Sequence, residues 1–379
     1  MDLLNQSLKL GVLDLVPRLG ESTFEDALQQ AAELARCAEA WGYHRYWAAE
    51  HHDLEHLSCA SPEILLSHIG ARTERIRLGS GAVLLPHYSP LKVAENFRML
   101  AALYPGRIDL GVGRAPGGSA HTSMALSGNF LGHVADLPNR IRALTELLED
   151  RYRYEDVPVA AKPVPGIAPA LWMLGTNTKS AGYAAEFGTG YVFGQFMSDT
   201  DGAEVLRSYR EAFRQSAHLK KPQTIVAVSV ICAETEELAR EMAMTAARLG
   251  QQRSGQLERE SVARLGQDGR DGQNEFGMPG IAVTGNATAH SSDSGAADDA
   301  GPKSSTAVDG RVDPISRRAM EDHSGAGGSF PRILTGTAES VKSVLKEMAE
   351  KYACEEFLIV TPVADYAARL KSYRLLMGM

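Results

Sequence analysis

Apolar residues recur along this chain with two alternating spacings, one typical of helices and one typical of buried strands. Residues 23–41 carry apolar side chains at helical spacing, begin beside Ser22 with two acidic residues in the first turn, and are followed by Gly42. Residues 45–49 and 225–232 are short apolar runs with the length of a buried strand. The order of such runs predicts the fold.

Eight strands are predicted, at residues 8–15, 45–49, 76–85, 107–112, 170–174, 190–193, 225–232 and 356–360. Helices are predicted at residues 23–41, 62–72, 90–104, 138–150, 179–187, 200–217, 234–249, 338–352 and 366–377. This repeated strand–helix order favours an α/β fold of the (β/α)8 TIM-barrel type, formed by one domain over residues 1–379. An open doubly wound sheet stays possible, because a pattern rarely fixes topology.

Residues 266–329 interrupt this pattern between the predicted seventh and eighth strands. The segment is rich in Gly, Ser, Ala and Asp and has almost no apolar periodicity. A loop of this length within a compact domain is either functional or disordered. Two interpretations therefore stay open, a lid over the barrel mouth and an insertion with no role.

Composition narrows the class of partner. The net charge of the 379-residue chain is −8, which argues against a nucleic-acid binder with a basic face. The four cysteines are far apart and form no CxxC pair, as expected for free thiols in a reducing cytoplasm. We expect neither a signal peptide, because the N-terminus is polar and short, nor a membrane span, because no apolar run approaches about 18 residues.

The sequence Glu50-His51-His52 directly follows the predicted second strand. Polar acid–base groups at the end of a buried barrel strand are an active-site arrangement. Strand alternation allows at most one of the two histidines to point straight into a barrel mouth. The alternative is a histidine that is simply hydrogen-bonded in a loop.

Residues 52–56 also spell HxxEH, an inverted zinc-peptidase pattern. That pattern requires both histidines on one face of a helix and a further ligand downstream. The preceding strand and the Ser-Pro turn at residues 61–62 argue against a helix here, so we predict no metal site.

Three glycine-rich or hydroxyl-rich stretches accompany this motif. Small residues at 79–82 would let the backbone approach a flat ligand, although a glycine-kinked strand is the alternative. Residues 111–118 match a dinucleotide fingerprint only loosely, because the third glycine is one place late and Pro116 interrupts a helix start. Residues 174–180 join a strand to a helix N-terminus, where phosphate can bind, or form an ordinary N-cap.

In their order and spacing these stretches resemble the bacterial luciferase-like flavin monooxygenases, in the stand-alone branch that does not emit light. The resemblance implies that His51 is the catalytic acid–base group and that Glu50 and His52 shape and polarise it. It also implies a non-prolyl cis peptide at Gly81–Ala82 beneath a flavin ring. Gly113 stands where the luciferase subunit has a reactive cysteine.

The resemblance further implies where the flavin phosphate binds. Arg114 would lie beside the flavin, and the segment with Leu174, Thr176, Asn177 and Ser180 would hold the phosphate largely through backbone groups. Arg114, Lys179 or an arginine of the 266–329 segment (Arg311, Arg317 or Arg318) could supply the cation. The arginine that the luciferase subunit contributes from its fourth helix is not clearly matched, since Pro138 occupies about that place with Arg140 nearby.

By resemblance the activity is an FMN-dependent monooxygenation. Reduced FMN would come from a separate NAD(P)H-dependent flavin reductase, react with O2 to a C4a-peroxyflavin and oxygenate a small organic substrate. A homodimer is implied as well. Two alternatives stay open, a deazaflavin-dependent oxidoreductase and a non-catalytic flavin-binding protein.

Overall fold

The computed structural model of the protein describes residues 8–249 and 330–379. The predicted insertion at 266–329, with its two interpretations, lies outside these described residues. Within them, no helix has the length and apolar content needed to cross a bilayer.

Eight parallel strands close into a barrel, which confirms the predicted TIM-barrel fold. Each strand pairs with the next in the order given below, and the last pairs with the first, with Val12 opposite Ile359. The barrel strands are β1 (Lys9–Asp14), β2 (Arg45–Ala48), β3 (Arg77–Ser80), β5 (Ile108–Gly113), β8 (Ala170–Gly175), β9 (Gly190–Gly194), β10 (Thr224–Cys232) and β12 (Glu356–Val360).

Four shorter strands were not predicted as separate elements. The predicted strand at 76–85 is divided into β3 and β4 (Val83–Leu84), and β4 also pairs with β5. A small antiparallel hairpin consists of β6 (Arg153–Tyr154) and β7 (Val157–Pro158). After the insertion the chain first forms β11 (Ile333–Gly336), which pairs with the C-terminal half of β10, before it reaches the eighth barrel strand.

Helices cover the outside of the barrel. They are α1 (Phe24–Ala40), α2 (Pro62–Gly70), α3 (Pro90–Leu103), α4 (Ala120–Ser127), α5 (Phe130–Ala135), α6 (Leu137–Leu148), α7 (Thr178–Glu186), α8 (Gly202–Ala212), α9 (residues 236–249), α10 (Ala338–Tyr352) and α11 (Tyr366–Leu376). The first helix begins as its sequence predicts, because Thr23 and Asp26 form a reciprocal capping box. Short α4 and α5 were not predicted, and α8 ends five residues before the predicted boundary at 217.

The barrel interior is filled at its N-terminal end and middle. Arg45 binds Asp109 at 2.8 Å and also pairs with Glu356, and Asp109 accepts a hydrogen bond from the indole of Trp47 at 3.0 Å. Above these charges, Trp47 and Trp172 meet edge to face, with ring centroids 6.0 Å apart. Because this end is closed by paired charges and aromatic rings, we expect a ligand to enter from the carboxyl ends of the strands.

Candidate active site

The predicted site residues meet at the carboxyl ends of neighbouring barrel strands, hereafter the mouth. Glu50, His51 and His52 follow β2, Gly81–Ala82 separates β3 from β4, and Arg114 follows β5. The 175–180 loop joins β8 to α7 and contains Thr176, Asn177 and Ser180, with Leu174 just before it. Parallel barrel strands all end on one face, so the fold brings these separate sequence stretches to one side of the protein.

Glu50 is a buried carboxylate of the mouth that accepts several hydrogen bonds. Its Oε1 accepts from His52 Nε2 at 2.7 Å and from the Tyr88 hydroxyl at 2.9 Å, while its Oε2 accepts from the Leu84 amide at 3.0 Å. The residue is only 3% exposed. A buried carboxylate needs such donors, and here they come from three separate segments of the chain.

The two histidines of the motif occupy different environments. His52 is buried, pairs with Glu50, and donates its backbone amide to Gly117 at 2.8 Å. His51 is partly exposed, and its backbone amide donates to Cys59 at 2.9 Å. The structure pairs Glu50 directly with His52, and the expectation that both residues shape and polarise His51 stays a prediction.

Residues 52–56 form a loop, with Asp53 in the left-handed region at φ 54°. The zinc-peptidase pattern at these positions therefore lacks the helix that would place both histidines on one face. Over residues 8–249 and 330–379, no group of three or more His, Cys, Asp or Glu side chains is arranged to hold a metal ion.

The Gly81–Ala82 segment forms a backbone surface at the mouth with little side-chain bulk. Its peptide bond is cis, as the resemblance implied, and the Gly81 amide donates to Ala48 at 2.8 Å. A side chain at Gly113 would lie 3.2 Å from the Cβ of Ala82, so the neighbouring strand also keeps this surface low. Such a surface suits the face of a flat ring.

A close approach of β3 and β5 supports this surface from below. Ser80 donates its hydroxyl to the Gly111 carbonyl at 2.8 Å and accepts from the Gly111 amide at 3.1 Å. A Cβ at Gly111 would lie 2.1 Å from the backbone oxygen of Ser80, so only glycine fits there. The glycines that loosely matched a dinucleotide fingerprint therefore belong to β5 and its loop, and α4 begins only at Ala120.

Arg114 is partly buried beside this surface. Among residues 8–249 and 330–379 it forms no ion pair, so its guanidinium is available to an anion. Arg140, the other arginine considered from the sequence, is engaged, since it donates to the Tyr88 carbonyl at 2.9 Å and lies 3.8 Å from Asp136. Burial lowers the pKa of Arg140.

The 175–180 loop forms a capped helix N-terminus. The Asn177 side chain accepts from the Ser180 amide at 3.2 Å, and the Ser180 hydroxyl donates to the Asn177 carbonyl at 2.8 Å. Within the described part of the chain, the amides of Thr178 and Lys179 have no acceptor and remain open. An anion at this helix terminus would meet those two amides first.

Two hydroxyls outside the loop hold it in place. The Tyr191 hydroxyl lies 3.0 Å from the Ser180 hydroxyl and 3.3 Å from the Asn177 carbonyl, and Ser198 donates to the Thr176 carbonyl at 2.7 Å. Burial raises the pKa of Tyr191 to about 12, so its hydroxyl stays protonated at physiological pH.

Sequence reasoning did not identify Tyr88, His87, Tyr191 or Ser198 as part of this site. His87 stacks on Phe130 with centroids 4.8 Å apart and contacts the Pro116 carbonyl at 2.9 Å through Nε2. Its segment, Pro86-His87-Tyr88-Ser89-Pro90, directly follows the small-residue strand, and this aromatic pair between two prolines was a usable signal.

The chain is similar in sequence to known monooxygenases over nearly its whole length. A profile described as luciferase-like monooxygenase matches residues 8–351. N-acetyl-S-alkylcysteine monooxygenase of Bacillus subtilis (strain 168) is 32% identical over 375 residues, which are 97% of this chain and 97% of that protein.

Two solved structures share the whole fold. The crystal structure of apo-MsnO8 superposes with a TM-score of 0.72 at 32% identity and covers 98% of this chain and 97% of its own. The oxygenating constituent of 3,6-diketocamphane monooxygenase from Pseudomonas putida, a type II Baeyer–Villiger monooxygenase in complex with FMN, superposes with a TM-score of 0.65 at 17% identity, covering 98% and 97%. At 17% identity the second likeness is one of fold.

Proposed function

This chain belongs to the luciferase-like monooxygenase family, and on that premise we propose that it uses reduced FMN and O2 to oxygenate a small organic substrate. The observation that supports the proposal most is the pairing, at one mouth, of a low backbone surface at Gly81–Ala82 with the buried Glu50–His52 pair. Flavin supplies two electrons, so that one oxygen atom of O2 enters the substrate and the other leaves as water.

The residues of the mouth fit FMN. Gly81, Ala82 and Gly113 leave space for the face of the ring, while Arg114 and the open amides of the 175–180 loop offer positive charge and donors to a phosphate. Leu174 would contribute apolar contact where β8 meets the loop. Asn177 and Ser180 would act mainly by fixing the loop, since their side chains already bond each other.

His51 is proposed as the group that transfers protons at the reacting oxygen. It is more accessible than His52, and imidazole can accept or donate a proton near neutral pH. Glu50 and His52 are proposed to shape and polarise the surroundings of His51, and their bond to each other fixes the segment that carries it. The low exposure of Glu50 shields its own bonds to His52 and Tyr88 from water.

We further propose a two-component system, in which a separate NAD(P)H-dependent reductase delivers reduced FMN, and a homodimer in the cytoplasm. The four cysteines are free within the described structure, in keeping with a reducing compartment. For the substrate, the relative named above makes N-acetyl-S-alkylcysteines the first compounds to test, beside aldehydes, alkanes and aromatic compounds.

The first test is anaerobic titration with photoreduced FMN, followed by rapid mixing with O2 while the absorbance spectrum is recorded. We expect tight binding and an O2-dependent transient band between the spectra of reduced and oxidised flavin. Binding with neither a transient nor substrate-dependent O2 uptake would favour the flavin-binding alternative. Binding of the deazaflavin coenzyme in place of FMN would favour the hydride-transfer oxidoreductase.

A substitution separates the proton role from cofactor binding. His51→Ala is expected to bind reduced FMN like the parent but to form about 100-fold less product, within the usual contribution of a general acid–base group. His68→Ala, in the last turn of α2, is the matched control and should keep parental yield. Product chromatography and a peroxide assay measure the two fates of O2, and parental yield in His51→Ala would refute the assignment.

A further inference from the structure

Three segments of the mouth meet at the Glu50 carboxylate. His52 belongs to the histidine segment (residues 50–52), Leu84 follows the Gly81–Ala82 surface by two residues, and Tyr88 precedes α3. The bonds from these segments measure 2.7, 3.0 and 2.9 Å. We infer that Tyr88 is a positioning residue. Its hydroxyl keeps Glu50 bonded both to His52 and to the Leu84 amide, and so holds the histidine segment in register with the Gly81–Ala82 surface beneath the flavin ring.

The Tyr88 hydroxyl and His52 share a single acceptor atom, Glu50 Oε1, and the hydroxyl lies 3.5 Å from His52 Nε2. Oε2 is held by the backbone of Leu84. Removal of the hydroxyl would leave Oε1 with His52 alone, and a buried carboxylate that loses a donor reorients toward water or its remaining partners. Either movement changes the bond to the Leu84 amide.

Tyr88 is itself fixed in place. Its carbonyl accepts from Arg140, its amide donates to Leu85 at 3.2 Å, and its ring meets His87 edge-on with centroids 6.2 Å apart. Burial and the neighbouring Glu50 carboxylate raise the pKa of the Tyr88 phenol well above its usual range. The phenol therefore stays protonated, and a hydrogen-bond donor, at physiological pH.

The consequence for the site is geometric. The Gly117 carbonyl accepts the His52 amide, and a side chain at Gly117, with φ +68°, would come within 2.2 Å of Leu84 Cδ1. The histidine segment, the Leu84 segment and the loop after β5 are thus in close contact. A shift of either Glu50 bond moves His51 relative to the ring surface, and misplacement of about 1 Å is enough to cost rate.

The test uses Tyr88→Phe, which removes only the hydroxyl, with Tyr104→Phe as the matched control. Tyr104 donates its hydroxyl to the Ser67 carbonyl at 2.7 Å, and it follows α3 whereas Tyr88 precedes it. Three readouts apply to the full chain: affinity for FMN and for riboflavin, visible circular dichroism of the bound flavin, and hydrogen exchange of the peptide that contains the Leu84 amide.

For Tyr88→Phe we expect both flavins to bind about tenfold more weakly by the same factor, because the lost bond supports the ring surface and not the phosphate. The flavin dichroism should change, and the Leu84 amide should exchange about tenfold faster in the flavin-free protein. Tyr104→Phe should match the parent in all three. A purely structural role would lower thermal stability in both variants and leave flavin dichroism unchanged.

Parental dichroism and parental Leu84 exchange in Tyr88→Phe would overturn the inference, as would a loss of affinity for FMN alone. The inference rests on the proposed flavin function, but its failure is distinguishable from a failure of that function. If the parent binds neither flavin, the proposed function is wrong, and unchanged exchange at Leu84 would additionally refute the positional role.

Discussion

One side of the mouth lies at the ends of β2, β3 and β5 and is called the histidine side. Here a buried carboxylate accepts three hydrogen bonds, and hydrogen bonds that involve His52, His87 and Gly117 connect the loops. On the other side, the 175–180 loop is held by neutral groups, the hydroxyls of Ser180, Tyr191 and Ser198, and it keeps backbone amides open within the described structure. On the histidine side the Glu50 carboxylate and its donors are paired with one another, whereas the 175–180 loop keeps two backbone amides for a ligand.

This contrast gives each side a different sensitivity. A buried charge with several donors is costly to disturb, because removal of the charge leaves every donor unpaired. A neutral loop can lose one contact with little loss of folding stability. Its open amides are then no longer oriented towards the phosphate. Substitution of Glu50 should therefore act mainly on stability, and substitution in the 175–180 loop mainly on phosphate affinity.

The largest effect is expected for Glu50→Ala. It removes the acceptor of His52, Tyr88 and the Leu84 amide, and loss of one partner from a buried charged network costs about 3–5 kcal/mol of unfolding free energy. Urea denaturation of the flavin-free protein measures it. Glu74→Ala, on an exposed side chain, is the control. A loss below about 1 kcal/mol, the range of a surface pair, would contradict the contrast between the two sides.

The next effect is expected for Gly175→Ala, on the other side. The added Cβ would lie 2.0 Å from the Ser180 hydroxyl oxygen, so the loop must shift. Because the shifted loop no longer directs its open amides at the phosphate, we expect a loss of FMN affinity of about 30- to 150-fold, which is about 2–3 kcal/mol. Riboflavin affinity should change less than about threefold, since riboflavin lacks the phosphate.

Gly182→Ala, within α7 and with open space around its Cβ position, is the control for that substitution. Fluorescence titration with each flavin gives both constants. An equal loss of affinity for FMN and riboflavin would show that the 175–180 loop supports the ring. The assignment of phosphate binding to this loop alone would then be wrong.

A smaller effect is expected for Tyr191→Phe, which removes the hydroxyl under the loop. A neutral hydrogen bond contributes about 0.5–1.5 kcal/mol, so FMN affinity should fall about two- to tenfold at unchanged riboflavin affinity. Because burial raises the pKa of Tyr191 to about 12, the factor should be the same at pH 7 and pH 9. Tyr209→Phe, which loses a bond to the Thr189 carbonyl, is the control and should bind FMN normally.

The sequence was sufficient for the barrel and for the location of the mouth, because strand–helix alternation is a local signal that repeats eight times. It was insufficient where elements lack an apolar stripe. Helix α4 buries only Ser123, and α5 only Phe130, so neither shows helical periodicity, and four-residue β11 is too short to show any.

The partners inside the site were also beyond the sequence. The bond from Tyr88 to Glu50 joins residues 38 positions apart, and nothing local in either segment specifies it. The sequence also did not specify the bond between Glu50 and His52. Whether a side chain after the last strand residue points inward depends on how the following loop turns, here with Asp53 at positive φ.

The smallest expected effect is a loss of folding stability at acid pH, and it should arise on the histidine side. Burial lowers the pKa of His87 below its ordinary value near 6.5, although the Pro116 carbonyl and the nearby Glu50 carboxylate oppose the shift and His52 and His133 add to it. The unfolded chain therefore takes up this proton more readily than the folded one. Stability is complete above the unfolded pKa and declines as the pH falls from about 6.5 towards the folded pKa.

Replacement of His87 should make stability decline less steeply with falling pH. The comparison is between the two slopes, so the absolute stabilities of variant and parent need not be equal. Urea denaturation of the flavin-free parent and of His87→Gln between pH 7.5 and 5 gives the two slopes, and the variant should lose less stability over this interval. Parallel curves would mean that acid sensitivity arises elsewhere, for example at His218, whose pKa burial also lowers. Tyr191, which holds the 175–180 loop, does not titrate in this range. A flatter slope in His87→Gln would therefore place the acid-sensitive contacts on the histidine side of the mouth.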